Sequence, residues 1–206
     1  MNVIGIQAHS NSTRLPGKIY MEIGGKSLLQ WCVESCREIA QTWVLGCVTD
    51  EKLIQHCCDR DIPLYIGKCD DQDVLSRYVK FARAVGSSSV TRVTSDCPFI
   101  SVPDLAYTMT VHSKGNDFTS NAFAPRTTPD GYDVECISRR LLEHLDNFVN
   151  LIEMREHVTQ FVYQNEKELG KQFRVCRVKS LLDLSDQKYS IDKQEDFDRV
   201  KGLVRI

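Results

Sequence analysis

Short apolar runs alternate with amphipathic helical stretches along the first half of this chain, and few folds accept that alternation. Val3-Ile4-Gly5-Ile6 reads as a buried strand. Residues 27–40 place Leu28, Leu29, Cys32, Val33, Cys36 and Ile39 at helical spacing, with Glu34, Arg37 and Glu38 outside. A strand at 43–48, a helix at 50–60 with Leu53, Ile54 and Cys57 inward, and a short strand at 63–66 follow. Residues 70–85 open with aspartates able to cap a helix, then put Val74, Leu75, Tyr78 and Phe81 on one face. A strand at 89–94 completes the series. The pattern predicts an α/β fold of three layers, a mostly parallel sheet with helices on both faces. Beyond it we expect a helix from Pro103 to His112, strands at 117–120 and 133–138 around a loop at 123–132, and helices at 139–148 and 150–164. A strand at 173–178 and a helix at 195–204 end the chain. Without an internal repeat or linker, residues 1–206 read as one domain.

Composition removes several functions. The 206 residues carry a net charge of −2 with Lys and Arg dispersed, which argues against a nucleic-acid surface. No apolar run has the length of a membrane span and no targeting pattern is present, so we expect a cytoplasmic protein without a membrane partner. Nine cysteines include no Cys-x2-Cys pair, so a zinc centre is not expected. Their odd number and apolar settings fit reduced packing thiols.

Three places carry the chemistry. The first is Gln7-Ala8-His9-Ser10-Asn11-Ser12-Thr13-Arg14-Leu15-Pro16-Gly17-Lys18, directly after the first strand. A loop so rich in small and hydroxyl residues can turn several backbone N–H groups toward one anion. Arg14 and Lys18 add two cations across a Pro-Gly bend, which suits a polyphosphate. Many loops of this composition bind nothing, and the spacings of a Walker loop or a Rossmann glycine fingerprint are absent. The second and third are Asp96, at a strand end before Cys97-Pro98, and Asp192, in a comparable place after Tyr189-Ser190-Ile191. Either alone reads as a cap or turn former. Both, beside a polyphosphate, offer what Mg²⁺ prefers: one or two carboxylates, phosphate oxygens and water. Open sheets of this kind gather ligands beyond the carboxyl ends of their strands, where the loop and Asp96 both lie.

Ser-Thr-Arg-Leu-Pro-Gly-Lys, followed by Ile-Gly-Gly-Lys-Ser-Leu-Leu, resembles the signature loop of the CMP-sugar synthetases. The match is to the cytidylyltransferase branch named for spore-coat polysaccharide biosynthesis, related to acylneuraminate and KDO cytidylyltransferases. Four further stretches are similar to that family in order along the chain: Asp70-Asp71-Gln72-Asp73-Val74-Leu75-Ser76-Arg77-Tyr78, the run from Arg92 to Pro98, the run from Arg126 to Glu135 and Arg155-Glu156-His157-Val158-Thr159. A fifth, Ser190-Ile191-Asp192-Lys193-Gln194-Glu195-Asp196, extends the likeness to about Val200. The chain departs from the family at His9, usually Arg, at Ser95, usually Gly, and at Gln194, usually Pro.

The resemblance implies a Rossmann-like fold of the nucleotide-diphospho-sugar transferase (GT-A) type, with strand order 3-2-1-4 in its first half. It implies Mg²⁺-dependent nucleotidyl transfer from CTP to a sugar or acidic sugar, giving a CMP-sugar or CDP-linked product and pyrophosphate for surface polysaccharide. Arg14, Lys18, Asp96 and Asp192 would be catalytic, with Asp96 and Asp192 as metal ligands. Gln7, Ala8, His9, Ser12, Thr13, Asp73 and Ser95 would join Arg14 and Lys18 around the nucleotide. Arg126, Asp130, Asp133, Glu135, Glu156 and His157 would line the acceptor half. By analogy the segment near residues 120–160 would also join two copies in a homodimer. Two alternatives stand beside this reading: a sugar-phosphate nucleotidyltransferase using another nucleotide, and a catalytically weak nucleotide-binding homologue.

Overall fold

The computed structural model describes residues 2–203. Its central sheet is built first from β1 (Asn2–Gln7), β4 (Thr42–Cys47), β5 (Leu64–Gly67) and β6 (Ser89–Thr94), all parallel. A two-stranded hairpin, β2 (Glu22–Ile23) and β3 (Lys26–Ser27), lies outside that sheet. The sheet continues through β7 (Phe118–Ser120), β8 (Glu135–Ser138) and β9 (Val175–Arg177) in the order β5-β4-β1-β6-β8-β7-β9. β8 runs antiparallel to both neighbours, while β7 and β9 are parallel. Among the parallel strands the order is third, second, first, fourth, as the resemblance implies.

Alternation along the buried strands feeds two apolar layers. Ile4, Ile6 and Val44 pack with Leu29, Cys32, Val33 and Leu53 of α1 (Leu28–Arg37) and α2 (Glu51–Asp59), and with Leu105 of α4 (Val102–His112). Val3, Leu45 and Val90 point the other way, onto Tyr78 and Phe81 of α3 (Val74–Ala84) and Leu141 and Leu145 of α5 (Arg139–Phe148). Burying one Leu- or Phe-sized side chain contributes about 1.5–3 kcal/mol, so these layers supply most of the driving force. Side chains start the helices where the backbone leaves N–H groups unpaired. Ser27 and Gln30 form a capping box on α1, and Asp50, Asp73 and Ser101 cap α2, α3 and α4. Cys32, Cys36, Cys47, Cys57, Cys97 and Cys136 are buried as free thiols.

Several elements differ from the sequence expectation. The helix expected over 150–164 is two short pieces, α6 (Ile152–Glu156) and α7 (Gln160–Gln164). Between them Val158 takes φ +51° and is fully buried, joining the apolar layer beneath α3 and α5. The left-handed backbone at Val158 ends α6 and turns the chain before α7, with the valine side chain in the core at the break. A further short helix, α8 (Glu166–Leu169), follows. α3 begins at Val74 rather than Asp70, because Asp70–Asp73 forms a turn closed by Asp73 N–H to the Asp70 carbonyl at 3.0 Å. β8 begins at Glu135 rather than 133, since Val134 N–H is taken by the Asn121 side-chain oxygen at 2.8 Å and not by a neighbouring strand. The last helix, α9, covers Gln194–Leu203, and Val204 of the expected span lies outside the described residues. No described helix is long and apolar enough to cross a membrane.

Candidate active site

The loop after β1 is stapled in place by its own small residues. Gly17, at φ +69°, donates its N–H to the Ser10 carbonyl at 3.1 Å, and Lys18 N–H reaches Leu15 O at 3.2 Å. Ser10 donates its N–H (2.7 Å) and hydroxyl (2.5 Å) to the Asp50 carboxylate and also contacts the Tyr20 hydroxyl. Asp50 thus caps α2 and anchors the loop together. With its base fixed, the rim is left open. Among the described residues, the N–H groups of Asn11, Ser12, Thr13 and Arg14 have no acceptor, while Leu15 N–H is taken by the Ser12 hydroxyl at 3.3 Å. Four consecutive amides without a protein acceptor, beside a guanidinium, are the donors that an anion cradle needs.

Gly17 turns the chain so that Lys18 enters the protein. Its side chain is 9% exposed. The ammonium donates to the Ile191 carbonyl at 2.6 Å and lies 3.2 Å from Asp96 Oδ2 and 3.4 Å from Asp192 Oδ1. The two acids therefore converge on one point. They are also tied through the backbone, since Ile191 N–H donates to Asp96 O at 2.9 Å. Asp192 lies in an extended segment outside any strand, ahead of α9, which corrects the strand-end placement read from the sequence. Arg14, largely exposed, reaches Asp192 Oδ1 at 2.8 Å, and Lys188 holds Asp192 Oδ2 at 3.3 Å and Asp196 Oδ2 at 3.1 Å. Burial pushes the Asp96 carboxyl up, but the Lys18 charge and hydrogen bonds from Thr94 and Lys18 outweigh it, leaving the group below the usual carboxylate range.

Asp192 is positioned from behind by the 123–132 loop. Tyr189 N–H (2.6 Å) and Ser190 N–H (3.1 Å) donate to the Asp130 carbonyl. At Gly131, φ +103°, a Cβ would stand 2.4 Å from Ser190 N. Gly131→Ala therefore combines backbone strain of about 1–3 kcal/mol with a shift of the segment that carries Asp192. Its melting temperature is expected to fall by several degrees, at roughly 2–4 °C per kcal/mol, and turnover should fall with it. Calorimetry and a rate assay check both; an unchanged rate would show that Asp192 tolerates the displacement.

A cleft of about 330 Å³ is lined by Gln7, His9, Ser12, Thr13, Arg14, Lys18, Ser95, Asp96, Glu156 and His157, while Asp192 is not among its lining residues and meets it through its pairs with Arg14 and Lys18. Nearly all the nucleotide-side residues read from the sequence meet here, with Ala8 in an adjoining lobe of about 220 Å³ walled by Gln72, Val74 and Arg77. Asp73 stands outside both. Its carboxylate caps α3 at Ser76 N–H, 3.1 Å, and pairs with Arg155 at 2.8 Å. On the acceptor side, Glu156 and His157 reach the cleft because α6 ends there. Arg126 and Asp133 pair with each other at 2.5 Å, away from it. Burial, ahead of the opposing Arg126, raises the Asp133 carboxyl above its usual range.

Glu135 is buried behind Arg92, whose Nη1 it accepts at 2.5 Å. Arg92 lines the cleft although the sequence analysis gave it no role. The available signal was a charged residue inside a β-branched strand.

The two acids turn hard oxygens toward the point that the Lys18 ammonium fills, and a divalent ion such as Mg²⁺, which takes carboxylates alongside phosphate oxygens and water, would have to displace that ammonium to bind both. Among the described residues no cluster of three or more His, Cys, Asp or Glu side chains could hold a metal ion, so Asp96 and Asp192 would need phosphate to complete the shell.

The chain is similar to several known proteins. A family model described as cytidylyltransferase matches residues 3–205. The spore coat polysaccharide biosynthesis protein SpsF of Bacillus subtilis (strain 168) is 29% identical over 209 residues, spanning 96% of this chain and 84% of the relative. The structure of a cytidylyltransferase from Leptospira borgpetersenii serovar Hardjo-bovis superposes with TM-score 0.87 at 27% identity, covering 97% of this chain and 84% of that one. CMP:2-keto-3-deoxy-manno-octonic acid synthetase, solved in complex with CTP, shares the fold at TM-score 0.72 and 16% identity, covering 98% and 97%.

Proposed function

This chain belongs to the cytidylyltransferase family and is a nucleotidyltransferase; from that premise we propose that it transfers CMP from CTP to an oxygen of a sugar or acidic sugar for surface polysaccharide. The observation that carries the reading is the meeting of Lys18 with Asp96 and Asp192 beneath the open amides of residues 11–14. The amides and Arg14 would hold the β- and γ-phosphates, with Lys18 beside the reacting phosphate. An acceptor hydroxyl oxygen bonds to the α-phosphorus and releases its proton to solvent, the bond to the bridging oxygen breaks, and pyrophosphate leaves with the electron pair. Charge grows on the leaving oxygens, so fixed cations and amides aimed at them lower the barrier more than they stabilise bound substrate. Mg²⁺, held by Asp96 and Asp192, would neutralise further phosphate charge when bound. Arg14 now paired to Asp192 is free to exchange that carboxylate for phosphate.

The CTP complex of the structurally similar octonic acid synthetase supports cytosine as the base. The lobe beside Ala8 and Val74 offers the base an apolar wall continuous with the phosphate cradle. Phe148, Leu151 and Ile152, exposed within the segment 120–160, favour a second copy of the chain as partner there. The cytoplasm would supply CTP and Mg²⁺.

A thermal-shift panel of CTP, UTP, GTP and ATP with Mg²⁺ tests the nucleotide. A ligand at about 100 times its Kd stabilises the native state by about 2.7 kcal/mol. CTP is expected to raise the midpoint by about 5–10 °C and the other three by less. A larger response to any other nucleotide would move the reading to that substrate.

A further inference from the structure

We propose that Arg92 grips the acceptor, receiving an oxyanion of the sugar on its guanidinium, and that Glu135 is the positioning residue that aims it. The inference rests on the cytidyl-transfer reading and specifies its second substrate. Arg92 sits where the main cleft opens into a side depression of about 340 Å³, lined by Arg92, His157, Thr159, Gln160 and Tyr163. No carboxylate is among those residues. In the main cleft the lining carboxylates are Asp96, on Lys18, and Glu156, next to His157.

The guanidinium is fixed before any ligand arrives. β6 and β8 set Arg92 directly opposite Glu135, and Nη1 donates to Glu135 Oε2 at 2.5 Å. Nε and Nη2 both donate to Gln7 Oε1, at 3.1 and 2.9 Å. Glu135 is itself held, accepting from the Thr159 hydroxyl at 2.8 Å and the Tyr163 hydroxyl at 2.6 Å. Burial, then the Glu135 charge, raise the Tyr163 phenol well above its usual range, so it stays a donor. Burial opposes the charge on Arg92, and Glu135 more than restores it.

These contacts leave part of the planar fork of N–H donors uncommitted among the described residues. An oxyanion of the acceptor meets donors already oriented and pays little to reorganise them, the arrangement that favours a bidentate carboxylate or phosphate contact. The acceptor class is therefore a sugar carrying a carboxylate or phosphate, with its attacking oxygen toward the cleft.

The test is calorimetric binding to protein saturated with a non-hydrolysable CTP analogue and Mg²⁺. The probes are 3-deoxy-manno-octulosonate as carboxylate, glucose 1-phosphate as phosphate, and glucose as the neutral control. At least one anionic probe is expected to bind and glucose is not; whichever anion binds identifies the oxyanion. Because Arg92→Gln alone strands a buried Glu135, the double variant Arg92→Gln with Glu135→Gln is used beside Arg92→Lys. The double variant should weaken the anionic probe at least tenfold more than it weakens the analogue, whose Gln7 side also leans on Arg92, and Arg92→Lys should recover part of the loss. Binding of glucose as tight as that of the anions, no anionic binding, or an unmoved double variant would each overturn the assignment. Failure of the wild type to bind the analogue would instead remove the cytidyl-transfer reading beneath it.

Discussion

Lys18→Met is expected to lower the rate of pyrophosphate release by a hundredfold to a thousandfold. The replacement keeps the apolar stem, which lies buried after the Gly17 bend, and deletes the ammonium that meets Asp96, Asp192 and the Ile191 carbonyl. In the reaction the loss is that of one fixed charge aimed at developing negative charge, about 2.7–4 kcal/mol of barrier. At rest the loss is different: two carboxylates that shared one cation now face each other, and stability falls.

The pH dependence separates these effects. In the wild type the Asp96 carboxyl is held below its usual range, so its contribution to stability is present above the unfolded pKa and fades as pH falls through the lowered folded value. Without Lys18, burial pushes the same carboxyl upward, and the variant regains stability as that group takes a proton. The gap in melting temperature between the two proteins is therefore expected to narrow as pH falls from 7 into the carboxylate range. A rate near wild type would remove Lys18 from the chemistry, and a constant gap would show that its ammonium does not control Asp96.

The parts of this site that were legible in the sequence are those whose chemistry is local. The cradle could be read because a run of small and hydroxyl residues between a strand and a Pro-Gly bend has few ways to satisfy its amides. The parallel half of the sheet followed from its short apolar runs, since β1, β4 and β6 bury most of their length while the edge strand β5 buries only Gly67.

What could not be read depends on pairs far apart in the chain. Asp73 belongs to a matched motif, yet its partner is Arg155, 82 positions away, and that pair holds α3 against the α5–α6 corner rather than a ligand. Glu135 is likewise drawn behind Arg92, whose charge inside a strand has meaning only once β6 and β8 are paired. The split between α6 and α7 was hidden for another reason. The polar pattern over 150–164 suits a helix, and the left-handed turn at Val158, beside which His157 lines the cleft, carries no local signal such as a glycine.

Asp96→Asn is expected to lower turnover by a hundredfold or more while leaving the fold in place. The backbone that matters locally is untouched, because Ile191 N–H donates to the main-chain carbonyl of residue 96 and not to its side chain. The amide oxygen of asparagine can still accept from Thr94 and Lys18, so the cavity keeps its shape and loses one charge. A neutral side chain gives up the stabilising charge contact with Lys18 but also sheds the burial penalty that opposes it, so the melting temperature should fall by no more than a few degrees.

The contrast with Lys18→Met is informative: both variants lose activity, but only the lysine variant leaves like charges opposed. Asp96→Asn should also weaken Mn²⁺, followed by electron paramagnetic resonance in the presence of CTP, by about tenfold or more. A divalent ion sharing two carboxylates with a triphosphate depends on both. In the absence of nucleotide, Mn²⁺ should bind weakly to wild type and variant alike, because Arg14, Lys18 and Lys188 already match the charge of the acids and only an incoming triphosphate draws Arg14 away. Equal Mn²⁺ affinity with CTP in both proteins would leave Asp96 as a structural partner of Lys18, and the ion would then have to rest on Asp192 and phosphate alone.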